Sequence, residues 1–350
     1  MTQRRYMVDL LALLTLIVVA ALIYVGSRGL RDFDAALIGY AVGTTFAIVG
    51  MVYRYTLWLG RPPTGRYFRA GWRNFLSWKN FRRYTFLIPK LWWTDIFAQT
   101  FIFRRGVWRW LMHMSIFWGV VISLLVTIPL TFGWFHLTLV GRDDYRIWFF
   151  GLSLFRFPLG TPISWSVFHV LDYTAFLLLF GLAIAFWRRT NDAGLLATQR
   201  FSFDLMPLIL LFAIAITGLA LTASQMLWAG RYYAFISITH EVVVVVWLIS
   251  LPFGKFFHIV ERPATIGITL YNTVNQDIER SGPELEGSRC ARCGEALPSQ
   301  QFVRDLKATL VDLGQRYDMA ERGVLQDYCP TCKRVLRGTA YYELMQKQFL

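Results

Sequence analysis

Five histidines and four cysteines are the residues of this 350-residue chain most able to hold a metal. His113, His169, His240 and His258 fall inside or at the ends of long apolar stretches, and His136 falls in a connection between two of them. Polar side chains at membrane depth are costly and are usually retained for a function. His240 and His258 are 18 residues apart. On one continuous helix, 18 steps of about 100° close five turns, so both rings would share a face about 27 Å apart. Neutral imidazole is a good iron ligand. The cysteines form two knuckles, Cys290-x-x-Cys293 and Cys329-x-x-Cys332. Four thiolates are the donor set of a tetrahedral structural zinc.

These residues need elements to position them. Six apolar runs, at about 7–26, 35–59, 109–132, 163–187, 204–228 and 233–257, are long enough to cross a bilayer, which takes about 20 residues. Arg4 and Arg5 precede the first run, as in a signal peptide, but no small-residue cleavage site follows it before Arg28–Asp34. An uncleaved helix is therefore expected. Hydrophobic residues make up 55% of the chain, which excludes a disordered protein, and four cysteines are too few for a disulfide scaffold.

The net charge of +14 would ordinarily raise nucleic-acid binding. It lies wholly within residues 1–257, which carry 24 Lys/Arg and 10 Asp/Glu, so no nucleic-acid partner is expected. Segment 60–108 alone has ten Lys/Arg against Asp95, and Arg188, Arg189 and Arg200 fall on the same side if six helices alternate. The opposite loops carry six Arg, four of them balanced by acids. The positive-inside bias then places both termini in the cytoplasm of a cell inner membrane. In 60–108, Arg66, Arg69, Arg73, Lys79, Arg82 and Arg83 alternate with aromatic residues, and Pro62-Pro63 and Pro89 punctuate the segment. That mix suits interfacial helices among membrane lipids, and also the docking of a cytoplasmic partner.

With this topology His113 is level with His258 near the cytoplasmic face, and His169 is level with His240 near the outer face. Two pairs at two depths suit two stacked b-type haems with bis-imidazole ligation. The plainer reading of any one membrane histidine is a helix–helix hydrogen bond.

Three stretches also resemble a known family, the membrane cytochrome b superfamily of respiratory nitrate reductase gamma subunits and heterodisulfide-reductase-type subunits. "HEVVVVVWLISLPFGKFFHIVERP" (240–263) is similar to that family's last helix, with two haem-ligand histidines. "RWLMHMSIFWGVV" (109–121) resembles its earlier ligand helix, and 186–222 its connection into the penultimate one. The lead-in "DIFAQTFIFRRGVWRWLMH" (95–113) looks more like the heterodisulfide-reductase type. The resemblance implies electron transfer between the quinone pool and a cytoplasmic iron–sulfur or oxidoreductase subunit. It departs from the pattern at Ser123, where the nitrate reductase subunit has a second ligand. His169 is the expected replacement, with His136 its competitor. The inner haem is then assigned to His113 and His258, and the outer haem to His169 and His240.

Glu241 and Asp172 lie close enough in sequence to the outer ligands to take protons from a quinol. A salt bridge to Arg231, or water contact at the helix end, is the alternative for both. Lys255 is a candidate for a haem propionate, with snorkelling to headgroups the alternative. Asp204 reads as a helix N-cap. Residues 264–289 read as a linker containing Gly282-Pro283, and a helix over about 299–321 fills the gap between the knuckles. The cytoplasmic setting argues against disulfides. A rubredoxin-like iron, an iron–sulfur cluster or free thiols are the alternatives to zinc.

The expected fold is an all-α membrane protein: a six-helix transmembrane bundle with two haems and a small zinc-ribbon-like cytoplasmic domain. The divisions are two helices (1–59), a basic aromatic arm (60–108), a four-helix cytochrome core (109–263), a linker (264–289) and the four-cysteine metal-knuckle domain (290–350). The rival from another class is a haem-free transporter or scaffold whose tail recruits a cytoplasmic partner. No internal repeat or pair of broken helices supports a transporter.

Overall fold

The computed structural model describes residues 2–62, 64–193, 196, 199–281, 288–315, 317–319 and 323–348. Gly282 and Pro283 of the expected linker lie outside them. The fold is mostly helical, and six of its helical segments are long and apolar enough to cross a membrane: Arg5–Gly26, Ala35–Gly60, Val107–Thr131, Val170–Asn191, Phe201–Leu227 and Tyr233–Ser250. By contacts the chain divides into two units, residues 1–56 with 93–260, and residues 57–92 with 261–350.

The first unit contains α1 (Thr2–Gly26) and most of α2 (Ile38–Gly60). The second contains α3 (Thr64–Leu76), α4 (Trp78–Tyr84) and α5 (Leu87–Leu91). The first unit then resumes with α6 (Thr100–Phe103), α7 (Val107–Thr131), α8 (Pro162–Phe168), α9 (Val170–Asn191), α10 (Met206–Leu227) and α11 (Tyr233–Ser250). In this bundle α7 packs on α9, α9 on α10, and α10 on α11. Small residues permit the closest approach: a Cβ on Gly181 would stand 2.8 Å from the Ile116 side chain and 2.9 Å from the Met112 carbonyl oxygen. Ala47, Leu178, Leu182, Leu211, Ala215, Trp247 and Leu248 form the buried apolar centre. Much of α1 is exposed and apolar, as a lipid-facing helix must be.

Two features depart from the expected all-α bundle. The connection after α7 is a three-stranded antiparallel sheet, with β1 (Phe135–Val140), β2 (Asp144–Phe149) and β3 (Leu152–Pro158) in the order β1-β2-β3. Phe150 and Gly151 join β2 to β3 with φ of 47° and 73°. Positive φ at both central residues of a two-residue hairpin matches the twist of the strands it joins. The second departure is at the end of α11, which stops at Ser250 instead of running through His258. Pro252 lacks the N–H that would continue the hydrogen-bond ladder, and the helix ends just before it. A 3-10 turn, Lys255–Phe257, follows, and His258 opens α12 (His258–Ser281). His240 and His258 therefore do not share one helix, and the five-turn phase does not relate their rings.

The break is held from α2. The Arg54 guanidinium donates to the Pro252 carbonyl and lies 4.1 Å from the centroid of the fully buried Phe257 ring. A carbonyl freed by a broken helix at membrane depth needs such a donor.

The second unit builds its own core from the arm and the tail. Tyr67 of α3 stacks on Phe302 of α13 (Gln300–Asp312) at 4.5 Å. Tyr271 of α12 donates to Asp305 Oδ2 at 2.6 Å, and Tyr84 to Asp277 Oδ2 at 2.6 Å. Burial first, then the adjoining carboxylate, pushes both phenols above their ordinary range, Tyr84 up to about 12. Tyr67 and Phe75 are thus buried in protein, while Trp78 and Phe86 stay exposed. The chain's last described helix is α14 (Pro330–Gln348).

Candidate functional site

His113 lies in the second turn of α7, and His258 is the first residue of α12. Their ring centroids are 6.5 Å apart with the planes at 68°. His258 Nδ1 is 2.7 Å from the Lys255 carbonyl oxygen. A carbonyl only accepts, so Nδ1 carries the proton and Nε2 keeps its lone pair. The preceding turn is fastened by Lys255 Nζ, which meets Asp204 Oδ1 at 2.6 Å. Asp204 also accepts from the Arg200 backbone N–H at 3.0 Å. It therefore does not cap the helix ahead of it as expected, because its carboxylate reaches backward along a π-helical turn, Phe201–Leu205.

The other pair is arranged differently. His169 sits at the joint between α8 and α9, where its Nδ1 is 2.6 Å from Asp172 Oδ2 and its ring lies 3.9 Å from Trp165. Asp172 Oδ1 accepts from Thr222 of α10 at 2.7 Å. His240 on α11 has Nδ1 2.8 Å from Thr217 Oγ1. Thr217 gives its own proton to the Ala213 carbonyl at 2.6 Å, so its oxygen accepts from His240. In His169, His240 and His258 alike, the Nδ1 proton is held, so the neutral ring carries its lone pair on Nε2. That is the arrangement by which an outer partner orients a metal-ligating histidine.

A cavity of about 320 Å³ lies among α2, α7, α9, α10 and α11. Its wall includes His240, Asp172, Tyr40, Ser123 and Trp247, and otherwise is mainly aliphatic. Gly218 faces this ring, and a Cβ there would stand 3.4 Å from His240 Cε1. Neither His169 nor His136 lines it. His136 instead occupies β1, with Nε2 3.8 Å from Asp32 and its ring stacked on Trp148. Ser123 bonds Thr174 Oγ1 at 2.8 Å. Glu241 faces α2, where a Cβ on Gly39 would be 2.0 Å from its Oε1. Among the described ion pairs none joins Glu241 to Arg231.

The four cysteine sulfurs of the second unit lie within 4.8 Å of one another, a group that could hold a metal such as zinc. Gly294, at φ 73°, lets the first knuckle fold back, and its N–H donates to the Cys290 carbonyl at 3.0 Å. The Cys329 N–H donates to Cys290 Sγ at 3.3 Å, and the Cys332 N–H to Cys329 Sγ at 3.4 Å. Cys290, Cys329 and Cys332 are buried and Cys293 is exposed. Burial alone would push the Cys290 thiol up, yet backbone N–H groups of Cys329, Cys293 and Arg292 bring it down to about 6. Cys332 is pushed up to about 12 by burial and then by the other three sulfurs. One thiolate forms readily while Cys332 resists a second charge, which is the electrostatic demand a cation meets.

Sequence reading brought out the histidines and cysteines. It missed Arg54, Thr217, Thr222 and Trp247, which act through contacts distant in sequence. A Thr or Trp in an apolar run reads as filler, and only the fold reveals its neighbour. No protein-family model, curated protein or solved structure matches the chain.

Proposed function

We propose that the chain is a multi-pass membrane b-type cytochrome that passes electrons between the quinone pool and a cytoplasmic iron–sulfur or oxidoreductase partner, with both termini in the cytoplasm. The observation that carries this reading is the pairing of His113 with His258. A metal held between two imidazole nitrogens at about 2 Å from each puts the ring centroids about 6.3 Å apart. The observed separation is 6.5 Å, with the basic Nε2 of His258 fixed by its backbone partner. His113 and His258 would hold the haem, and Lys255 and Asp204 would keep His258 in place. When bound, the haem supplies a one-electron centre whose potential depends on its two imidazole ligands.

A second haem on His169 and His240 has no comparable support, because only His240 lines the bundle cavity. The reading carried forward needs one haem. The four-cysteine group fits structural zinc: a tetrahedron of bonds near 2.3 Å separates its sulfurs by about 3.8 Å, and Cys293 and Cys329 are 3.7 Å apart.

The test is an absorption spectrum of the full chain purified from membranes and reduced with dithionite. A b-type α-band is expected in the wild type, and none in His113→Ala or His258→Ala. No haem in the wild type would sink the reading in favour of a transporter or scaffold. So would haem retained when both histidines are replaced.

A further inference from the structure

The bundle cavity has the volume of a small-ligand pocket but the donor set of neither a bis-imidazole site nor an inert void. One imidazole lines it, and that imidazole has a defined tautomer. With its Nδ1 proton held by Thr217, His240 can accept a hydrogen bond at Nε2 but has no second proton to give. Seven residues further along α11, two helical turns away, Trp247 also lines the cavity. Trp247 is 4% exposed, and its indole N–H has no partner among the described residues. A buried donor left unpaired is costly, so the protein gains if a ligand oxygen completes it. The remaining wall is mainly Leu, Ile, Val and Ala, interrupted by the hydroxyls of Tyr40, Ser123 and four threonines, which suits a ring with polar substituents and an apolar tail.

We propose that this cavity binds the head group of a lipophilic para-quinone, and binds the reduced form in preference to the oxidised one. The choice of quinone as ligand class rests on the electron-transfer reading above. The preference rests on the cavity itself. A quinol hydroxyl can donate to His240 Nε2 while the opposite oxygen accepts from Trp247. An oxidised quinone has two carbonyls that only accept. It can take the Trp247 bond, but it places a lone pair against a lone pair at His240. Asp172 stands in the same wall with both oxygens already engaged, by His169 and Thr222, so it shapes the site without competing for the ligand.

The test uses the full-length protein in detergent and a short-tailed 1,4-naphthoquinone, titrated calorimetrically and anaerobically in its reduced and oxidised forms. Haem content is measured on the same samples. The expected result is tighter binding of the reduced form by about tenfold, the value of one good hydrogen bond. Trp247→Phe keeps an aromatic ring and removes the donor, so both forms should weaken by about five- to tenfold. His240→Phe should abolish the preference between the forms. Both variants should keep the haem that the wild type carries, which also reports that they fold. Equal or stronger binding of the oxidised form would overturn the proposal. So would two haems per wild-type chain with one lost in His240→Phe, since the cavity would then belong to a second haem. A wild type that binds the quinol without any haem would sink the electron-transfer reading and leave this one standing.

Discussion

At His258 a single backbone carbonyl decides which ring nitrogen is available. The same logic recurs at His240 with a threonine oxygen and at His169 with a carboxylate, so three imidazoles present Nε2. The cysteine group follows a parallel rule with sulfur. Backbone N–H donors stabilise the Cys290 thiolate, which ionises at about 6. Above that pH the group carries charge that attracts a cation, and as the pH falls through it a proton competes with the metal. Zinc bound by the full chain should accordingly be retained at pH 7.5 and released progressively as the pH is lowered, as read by a chromophoric zinc indicator. Cys329→Ser should lower bound zinc from about one per chain to near zero, because Cys329 is buried and its Sγ lies 3.7 Å from Cys293 Sγ. Iron in place of zinc in metal analysis would overturn the zinc assignment.

At the scale of elements, the decisive event is the interruption between α11 and α12. Pro252 was visible in the sequence, yet the run around it is apolar enough to read as one helix through His258. What sequence cannot display is the partner that makes a break tolerable. Here it is Arg54, 198 residues before the carbonyl it serves. Arg54→Ala should leave the Pro252 carbonyl unpaired and destabilise the protein by about 1–3 kcal/mol. A thermal melt in detergent should show a lowered midpoint, with partial recovery in Arg54→Lys. An unchanged midpoint would mean that the Arg54 contact does not hold the break. The sheet was missed for a related reason. Its strands alternate, but the Phe150-Gly151 turn lacks the Asn-Gly or Asp-Gly pair that marks a hairpin most clearly. A loop between membrane helices also draws attention to charge before periodicity.

At the scale of the molecule, the six long apolar segments were legible because bilayer thickness imposes a length that composition alone reveals. The two cysteine knuckles were legible because metal geometry imposes a spacing. Of the four membrane histidines, the structure brings His113 to His258, a pair matched by depth in the sequence. Which unit the arm belongs to was not legible. Residues 57–92 group with 261–350, through aromatic contacts such as Tyr67 with Phe302 that span more than 200 residues of sequence. In the proposed topology, six spans put the arm and the tail on one side of the membrane and the sheet on the other. A cysteine introduced at Arg142 should react with an impermeant maleimide from the outside of intact cells, and Cys293 should not. Labelling of both, or the reverse pattern, would contradict this topology.

The central claim is a haem between His113 and His258, and electron paramagnetic resonance of the air-oxidised, purified full chain tests it most directly. Two imidazoles make ferric haem low-spin, and planes as far from parallel as 68° should give a strongly anisotropic signal. The account predicts such a signal in the wild type and its loss in His258→Ala. A wild type with no ferric haem signal, or a low-spin signal that survives replacement of both histidines, would contradict it.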